Sequence, residues 1–328
     1  MQPDDEHLPA AVLAEATAPL PGDVPGFHDA LLQAADAHDP IRMDHLVHGW
    51  AQARAELLPV EEQAELAMQA VLDRRLGQVL FGAGHPAAAQ VLSDALGAAV
   101  LAEDEVETLR CHVALVPVEV LLGDAEALAA GRGYVEQLQA LGEPGHAAGG
   151  LMGLAQVAPP EEGPVLVLRA SHLYEQAGDG GWAAEAAVLA ARALAAAGDP
   201  RGSDVLERAR HLVDAHATVE LRVALAEVEA IVLWQSGEPE TAAALLGAAI
   251  EASERTGRPV APDLQILLCD ILVEGEQWDA LHTPASALVR FGQLVDDDEL
   301  ESMGVRYLRL SRGGDSTERP DAPRVGVH

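Results

Sequence analysis

The most regular part of the sequence runs from Val219 to Leu294 and reads VELRVALAEVEAIVLWQSGEPETAAALLGAAIEASERTGRPVAPDLQILLCDILVEGEQWDALHTPASALVRFGQL. It contains two consecutive helix-turn-helix units with a glycine in each turn, Gly237 and Gly275. Five and twelve residues after each glycine stands an alanine: Ala242, Ala249, Ala280 and Ala287. Neither unit can bury both faces of its helices alone, so each needs a neighbour to stack on. The pattern therefore predicts a helical repeat.

The composition favours helix along nearly the whole chain. Of its 328 residues 49% are hydrophobic, mostly Ala, Leu and Val, and only 3% are aromatic. Such residues favour helix, and β-branched residues rarely alternate with polar ones as a strand would require. All 20 basic residues are Arg, and the chain contains neither Lys nor Asn. This usage is typical of a GC-rich bacterial genome, and adaptation to high salt is the alternative interpretation.

The net charge of −33 narrows the range of partners. Nucleic acids and anionic membranes are bound mainly by clustered basic residues, whereas the Arg residues here are dispersed, so we expect neither as a partner. An acidic surface keeps an Ala-rich helical protein soluble, and it also attracts a basic protein or peptide. Both interpretations stay open.

The N-terminal residues and the two isolated cysteines indicate a cytoplasmic protein. The residues from Met1 to Glu6 are acidic and lack the basic start and apolar run of a signal peptide. No segment has the roughly 18 uninterrupted apolar residues that a membrane span needs. Cys111 and Cys269 stand alone in apolar helical contexts, which predicts buried thiols of a reducing compartment.

Proline and glycine divide the chain into five predicted segments. Residues 1–25 carry five prolines and form a loosely ordered N-terminal lead, and residues 26–145 form N-terminal helical repeats. Residues 146–163 form an irregular, Gly/Pro-rich junction, in which a short helix around Ala147 to Ala158 is the alternative. Residues 164–312 form C-terminal helical repeats, and residues 313–328 a disordered tail. In the C-terminal repeats we expect helices at about 164–177, 182–198, 203–216, 218–236, 239–256, 262–274, 277–293 and 297–312.

Turn glycines recur with a nearly constant spacing. Those at positions 84, 123, 198, 237 and 275 follow a period of about 38–39 residues, with one long gap close to two periods. Around Gly84, the residues Leu76, Gly77, Leu80 and Ala89 follow the small-and-large pattern that lets paired helices approach closely. This pattern resembles the tetratricopeptide repeat family, although the family's own period is shorter, at about 34 residues. The resemblance implies an all-α fold, a right-handed α-solenoid of stacked antiparallel helix pairs; a compact helical bundle is the alternative.

The match to the family pattern is incomplete. It covers residues 164–294 best, residues 61–141 weakly and the rest not at all. Glu229 and Leu268 occupy places where the family usually has a large apolar residue and a small one. Gly178 supports a second possible register, in which the other helix of each pair is counted as the first. Ala183 and Ala190 follow Gly178 at the same offsets as the alanines of the units above.

The resemblance also points to a binding groove. In tetratricopeptide arrays the first helix of each unit lines the concave surface. Carried over by offset from Gly237 and Gly275, this implies the groove residues Glu227, Ile231, Trp234, Gln235, Gln265, Cys269 and Leu272. The alternative for Ile231 and Trp234 is packing between layers. Trp182 and Trp278 follow their turn glycines closely, and we expect them to act as wedges between helices.

Two clusters of possible metal ligands occur in the sequence. His45 and His48, beside Asp44, share a helical face and could hold zinc if further ligands came from elsewhere. The run from Asp296 to Glu299 resembles a magnesium cluster, but carboxylates here are better explained as the cap of the last helix. We predict no metal at either place.

The sequence predicts a non-catalytic scaffold or adaptor that binds a protein or peptide in an acidic groove. No nucleophile, P-loop or dinucleotide-binding motif is present, so we expect neither enzymatic activity nor a cofactor. A regulatory sensor of a small molecule or peptide is the first alternative, and a metal-dependent enzyme using His45 and His48 is the second. The partner's identity and the oligomeric state stay open.

Overall fold

A computed structural model of the protein describes residues 63–216, 218–257 and 260–312, together with residues 30, 33, 34, 42, 43, 46, 47 and 49. The predicted lead, the predicted tail and the pair His45 and His48 lie outside the described residues. The described part of the chain is all-α, with thirteen helices between Gln63 and Ser311. The chain forms two compact units, residues 1–159 and residues 160–328.

The described helices of the first unit follow one another with short turns. They are α1 (Gln63–Gly82), α2 (Ala88–Leu101), α3 (Glu105–Leu121), α4 (Ala127–Ala140) and α5 (Pro144–Ala155). Each helix packs against the next, and α3 also contacts α1 and α5. The predicted close approach is present, because a side chain at Gly77 in α1 would lie 2.5 Å from Leu92 in α2. This arrangement is a stack of antiparallel helix pairs.

A buried charge network joins α1 to α3 in this unit. Arg74 Nε donates to Glu107 Oε1 at 2.5 Å, and Arg110 Nη1 donates to Glu107 Oε2 at 2.8 Å. Arg74 and Glu107 are both buried. Since an unpaired buried charge is strongly unfavourable, the pairing fixes how α3 sits on α1.

The second unit contains eight described helices. They are α6 (Gly163–Ala177), α7 (Gly180–Ala196), α8 (Gly202–His216), α9 (Val219–Gln235), α10 (Pro239–Arg255), α11 (Pro262–Glu274), α12 (Trp278–Val295) and α13 (Asp298–Ser311). These bounds agree closely with the predicted ones. Polar side chains support the ends: Thr218 accepts from the Leu221 amide, and Asp297 accepts from the Glu299 and Leu300 amides. The prediction that the acidic run caps the last helix is therefore confirmed.

The helices of the second unit form two layers. Consecutive helices pack against each other, and the odd-numbered α7 and α9 also contact directly. Tyr307 of α13 donates to Asp270 of α11 at 2.5 Å, and Arg208 of α8 pairs with Glu175 of α6. Main contacts thus reach only the next helix or the one after it, as in a solenoid.

Residues with a left-handed backbone conformation follow α7, α9 and α11 at a constant interval. In α7, α9 and α11, an amide just past the helix donates to the carbonyl five residues earlier: Asp199 to Leu194, Glu238 to Leu233 and Gln277 to Leu272. Such a bond closes a helix when the preceding residue is left-handed. Those residues are Gly198, Gly237 and Glu276, with φ of +63°, +81° and +54°. The interval from Gly198 to Gly237 equals the interval from Gly237 to Glu276. This structural repeat is longer than the tetratricopeptide period of about 34 residues.

Most of the predicted irregular junction is helical. Helix α5 covers Pro144 to Ala155, begins with a proline and contacts α3 and α4. Gly150 lies in this interface, where an added side chain would be 3.0 Å from Val113 and Val135. Gly150 therefore serves close helix packing, and the alternative of a short helix describes residues 147–155 better.

Candidate binding face

The seven predicted groove residues divide by helix. On α9, Glu227, Ile231 and Trp234 are half-buried and Gln235 is exposed. On α11, Gln265, Cys269 and Leu272 are buried, and the last two belong to the hydrophobic core of the C-terminal helices. The prediction was wrong for these three residues, because buried side chains cannot line a groove.

The error is a displacement by one residue in the turn after α11. The prediction aligned Gly275 with Gly237, but Gly275 has a φ of −77° and still belongs to the end of the helix. The left-handed residue of this turn is Glu276. One residue rotates a helical position by about 100°, which moved the predicted α11 residues from the surface into the core.

Counting from Glu276 places the accessible side of α11 elsewhere. The positions equivalent to Glu227, Ile231 and Gln235 become Ile266, Asp270 and Glu274. Ile266 and Asp270 are half-buried and Glu274 is exposed; with the exposed Asp263 they form one stripe along the helix. The sequence did contain a signal for Glu276, because this residue follows Gly237 at the same interval at which Gly237 follows Gly198. The signal was easy to miss because the residue is a glutamate and not a glycine.

Helix α7 presents a similar accessible stripe. Trp182, Glu185, Leu189 and Arg192 recur at intervals of three or four residues and therefore share one side of the helix. Trp182 is 59% exposed, so the prediction that it is a wedge was wrong. Trp278, at the start of α12, is 36% exposed and is not a buried wedge either.

Polar contacts connect the stripes of α7 and α9. Arg192 Nη1 of α7 lies 3.5 Å from Glu227 Oε1 of α9. On α11, the exposed Asp263 adds a further carboxylate to this side of the helices. Gln235 Nε2 donates to the Ala195 carbonyl at 2.8 Å, tying the end of α9 to the end of α7. We call the following set the odd-helix face: Trp182, Glu185, Leu189, Arg192, Glu227, Ile231, Trp234, Gln235, Asp263, Ile266, Asp270 and Glu274.

Ile231 and Trp234 also contribute to the interior. Ile231 contacts the hydrophobic cores on both sides of α9, and Trp234 packs against the core of the C-terminal helices. The alternative of packing between layers therefore describes most of their contact area. Their remaining exposed parts add apolar surface to the odd-helix face.

The odd-helix face is acidic and partly desolvated. It carries five carboxylates and one guanidinium, that of Arg192. Burial raises the pKa of Glu227, an effect that Arg192 partly offsets and Asp263 reinforces. Burial likewise raises the pKa of Glu185. Burial also raises the pKa of Asp270, against the hydrogen bond from Tyr307.

The described residues bear on metal binding and on thiol reactivity. Within the described ranges, no three His, Cys, Asp or Glu residues are grouped so as to hold a metal ion. Both cysteines are free and buried, and burial raises the pKa of the Cys111 thiol to about 12 and also raises that of Cys269. No helix in the described part of the chain is long and apolar enough to cross a bilayer.

Comparisons with known proteins give little further guidance. No protein-family model and no curated protein sequence matches the chain. A solved structure similar to it is a circular tandem repeat protein with novel repeat topology and enhanced subunit contact surfaces. That protein is 16% identical, with a TM-score of 0.25, and the similarity covers 88% of this chain and 82% of the other. Such a score is too low to indicate a common fold, so the architecture rests on the helix packing described above.

Proposed function

We propose that this protein is a non-catalytic, cytoplasmic binding protein whose odd-helix face docks a basic, partly apolar segment of another protein. The observation that carries the proposal is the ion pair between Arg192 of α7 and Glu227 of α9, which joins the accessible sides of two successive odd helices. The exposed carboxylates Asp263 and Glu274 of α11 extend this acidic surface. A face continuous over several repeats suits an extended peptide, as in other helical arrays.

Charge and hydrophobicity define the partner's chemistry. With five carboxylates against one guanidinium, the face attracts positive charge. Trp182, Leu189 and Ile266 add apolar surface between the carboxylates. A segment in which basic and apolar residues alternate would satisfy both features.

The test is fluorescence anisotropy with a fluorescein-labelled peptide of alternating Arg and Leu. The variant carries Asp263→Arg and Glu274→Arg, two exposed carboxylates of α11. Its matched control carries Glu251→Arg and Glu254→Arg, two exposed carboxylates of α10 outside the face. Both variants change the net charge equally, so any difference reports position and not total charge.

We expect the α11 variant to bind the peptide at least about tenfold more weakly than the wild type, and the α10 control to stay within about twofold. A peptide with Glu in place of Arg should not bind. Equal loss in both variants would mean that the peptide binds by net charge alone, and the proposal would be wrong.

A further inference from the structure

Two aromatic side chains meet at one end of the odd-helix face. Tyr174, near the end of α6, and Trp182, in the first turn of α7, have ring centroids 6.2 Å apart and an interplanar angle of 27°. Tyr174 is half-buried and supports the more exposed indole. An exposed, supported indole is a preordered surface for a ligand, because little conformational freedom remains to be lost.

Two carboxylates flank this aromatic pair. Asp179 occupies the N-cap position of α7, yet its side chain makes no capping hydrogen bond. Glu185 lies one turn after Trp182 on the same side of α7. The Asp179 amide donates to the Tyr174 carbonyl at 2.9 Å, which places Asp179 beside the aromatic pair. Burial raises the pKa of Tyr174, and Glu185 and Asp179 add to this rise.

Neither carboxylate is neutralised by a cation in the described part of the chain. The nearby Glu175 is different, because Arg208 and His172 both lie within ion-pair distance of it. Arg192, on the same side of α7 as Glu185, pairs with Glu227. The aromatic pair thus lies beside two negative charges whose counter-ion the described residues do not supply.

We infer that Tyr174, Asp179, Trp182 and Glu185 form a site for the guanidinium of an arginine in the docked segment. A cation over the face of an indole is attracted by the ring's quadrupole. Guanidinium can also stack through its plane while its N–H groups bond to carboxylates, which an ammonium does less well. The inference deepens the proposed function and rests on it for the identity of the larger ligand.

The site can be tested without a peptide. Titration of the 15N-labelled protein with N-acetyl-arginine amide, followed by NMR of the tryptophan indole signals, isolates the guanidinium contribution. The Trp182 signal is identified by its absence in Trp182→Phe. N-acetyl-citrulline amide, which has nearly the same shape without the charge, is the control.

We expect the Trp182 indole signal to shift saturably with the arginine compound and not with the citrulline compound. An unmoved Trp182 signal, or equal shifts with both compounds, would overturn the arginine site. These outcomes do not depend on whether the labelled peptide binds.

Peptide binding then separates the site from the proposed function. Trp182→Ala should weaken binding of the Arg and Leu peptide by about 2- to 30-fold, the range of cation–π contributions. Trp278→Ala, which removes a partly exposed tryptophan from the first turn of α12, outside the odd-helix face, should leave binding unchanged. If Trp182→Ala binds as tightly as the wild type, the arginine site is wrong and docking stands. If the wild type does not bind the peptide but arginine amide shifts Trp182, docking is wrong and the site stands.

Discussion

A single residue, Glu276, shows how α11 aligns with α9 in the repeat. It has a left-handed backbone, which glycine adopts readily and a glutamate adopts at a cost. Such a residue is hard to recognise in the sequence, because the turn also contains Gly275 one position earlier and glycine is the usual residue at a left-handed position. The accessible side of α9 could therefore be predicted directly from its turn glycine, whereas that of α11 required extending the interval between Gly198 and Gly237 to a glutamate.

Substitutions in this turn test the assignment. Glu276→Gly should raise the free energy of unfolding by about 1 kcal/mol, and Gly237→Ala should lower it by about 1–2 kcal/mol. Gly275→Ala should lower it by less than Gly237→Ala does, because φ at Gly275 is −77° and the added side chain would only crowd Gln277 Nε2 at 3.2 Å and Pro239 Cβ at 3.3 Å. Urea denaturation measures all three. If Gly275→Ala proved as harmful as Gly237→Ala, Gly275 and not Glu276 would be the equivalent position.

The partly buried Glu227 should make stability depend on pH. Burial raises its pKa in the folded protein above the ordinary value of 4.5. Between those two values the folded state holds more protons than the unfolded state, so stability falls as pH rises. Above the raised value the loss is complete.

Glu227→Gln removes this titration. Relative to the wild type, the variant should therefore gain stability as pH increases from below 4.5 to neutral. Urea denaturation of both proteins at pH 4 and pH 7.5 measures the difference. If the variant instead lost stability relative to the wild type towards neutral pH, the ion pair with Arg192 would outweigh burial in its effect on Glu227.

Helices were the most predictable elements, and their contacts the least. Bounds followed from Gly, Pro and capping residues, as at Thr218, so predicted and observed helices of the second unit differ by at most about two residues. Exposure of Trp182 was not predictable, because it depends on where Tyr174 of α6 lies. Local signals fix where a helix begins and ends, whereas its outward side depends on neighbouring helices.

Close packing of α12 on α13 depends on glycine. A side chain at Gly304 would lie 2.8 Å from the Val289 backbone nitrogen and 3.0 Å from the Ala285 carbonyl. Backbone atoms cannot rotate away, so the two helices would have to separate.

We expect Gly304→Ala to lower the free energy of unfolding by about 1–3 kcal/mol. Gly247→Ala in α10 is the matched control, because no atom lies within 4 Å of the added side chain. That control should raise stability by about 0.5–1 kcal/mol through helix propensity. Chemical denaturation followed by circular dichroism measures both, and a neutral Gly304→Ala would contradict the close approach.

At the scale of the molecule, composition determined the class and the repeat determined the architecture. Ala, Leu and Val with few aromatic residues predicted an all-α chain, and the turn spacing predicted stacked pairs. The interior boundary was placed near the division after Pro159, although α5 occupies most of the segment expected to be irregular. The net charge of −33 predicted only the sign of the partner's charge, because the acidic residues are spread over the whole sequence.

Docking of a basic segment on the odd-helix face can be tested by chemical cross-linking. Because the chain has no lysine, a bound peptide with a single lysine can be coupled by carbodiimide to protein carboxylates with competition only from the N-terminal amine. Mass spectrometry then identifies the carboxylates beside the peptide. We predict coupling mainly to Glu185, Asp263 and Glu274. Coupling mainly to the exposed carboxylates of α10, Glu251 and Glu254, or evenly along the chain, would contradict the claim.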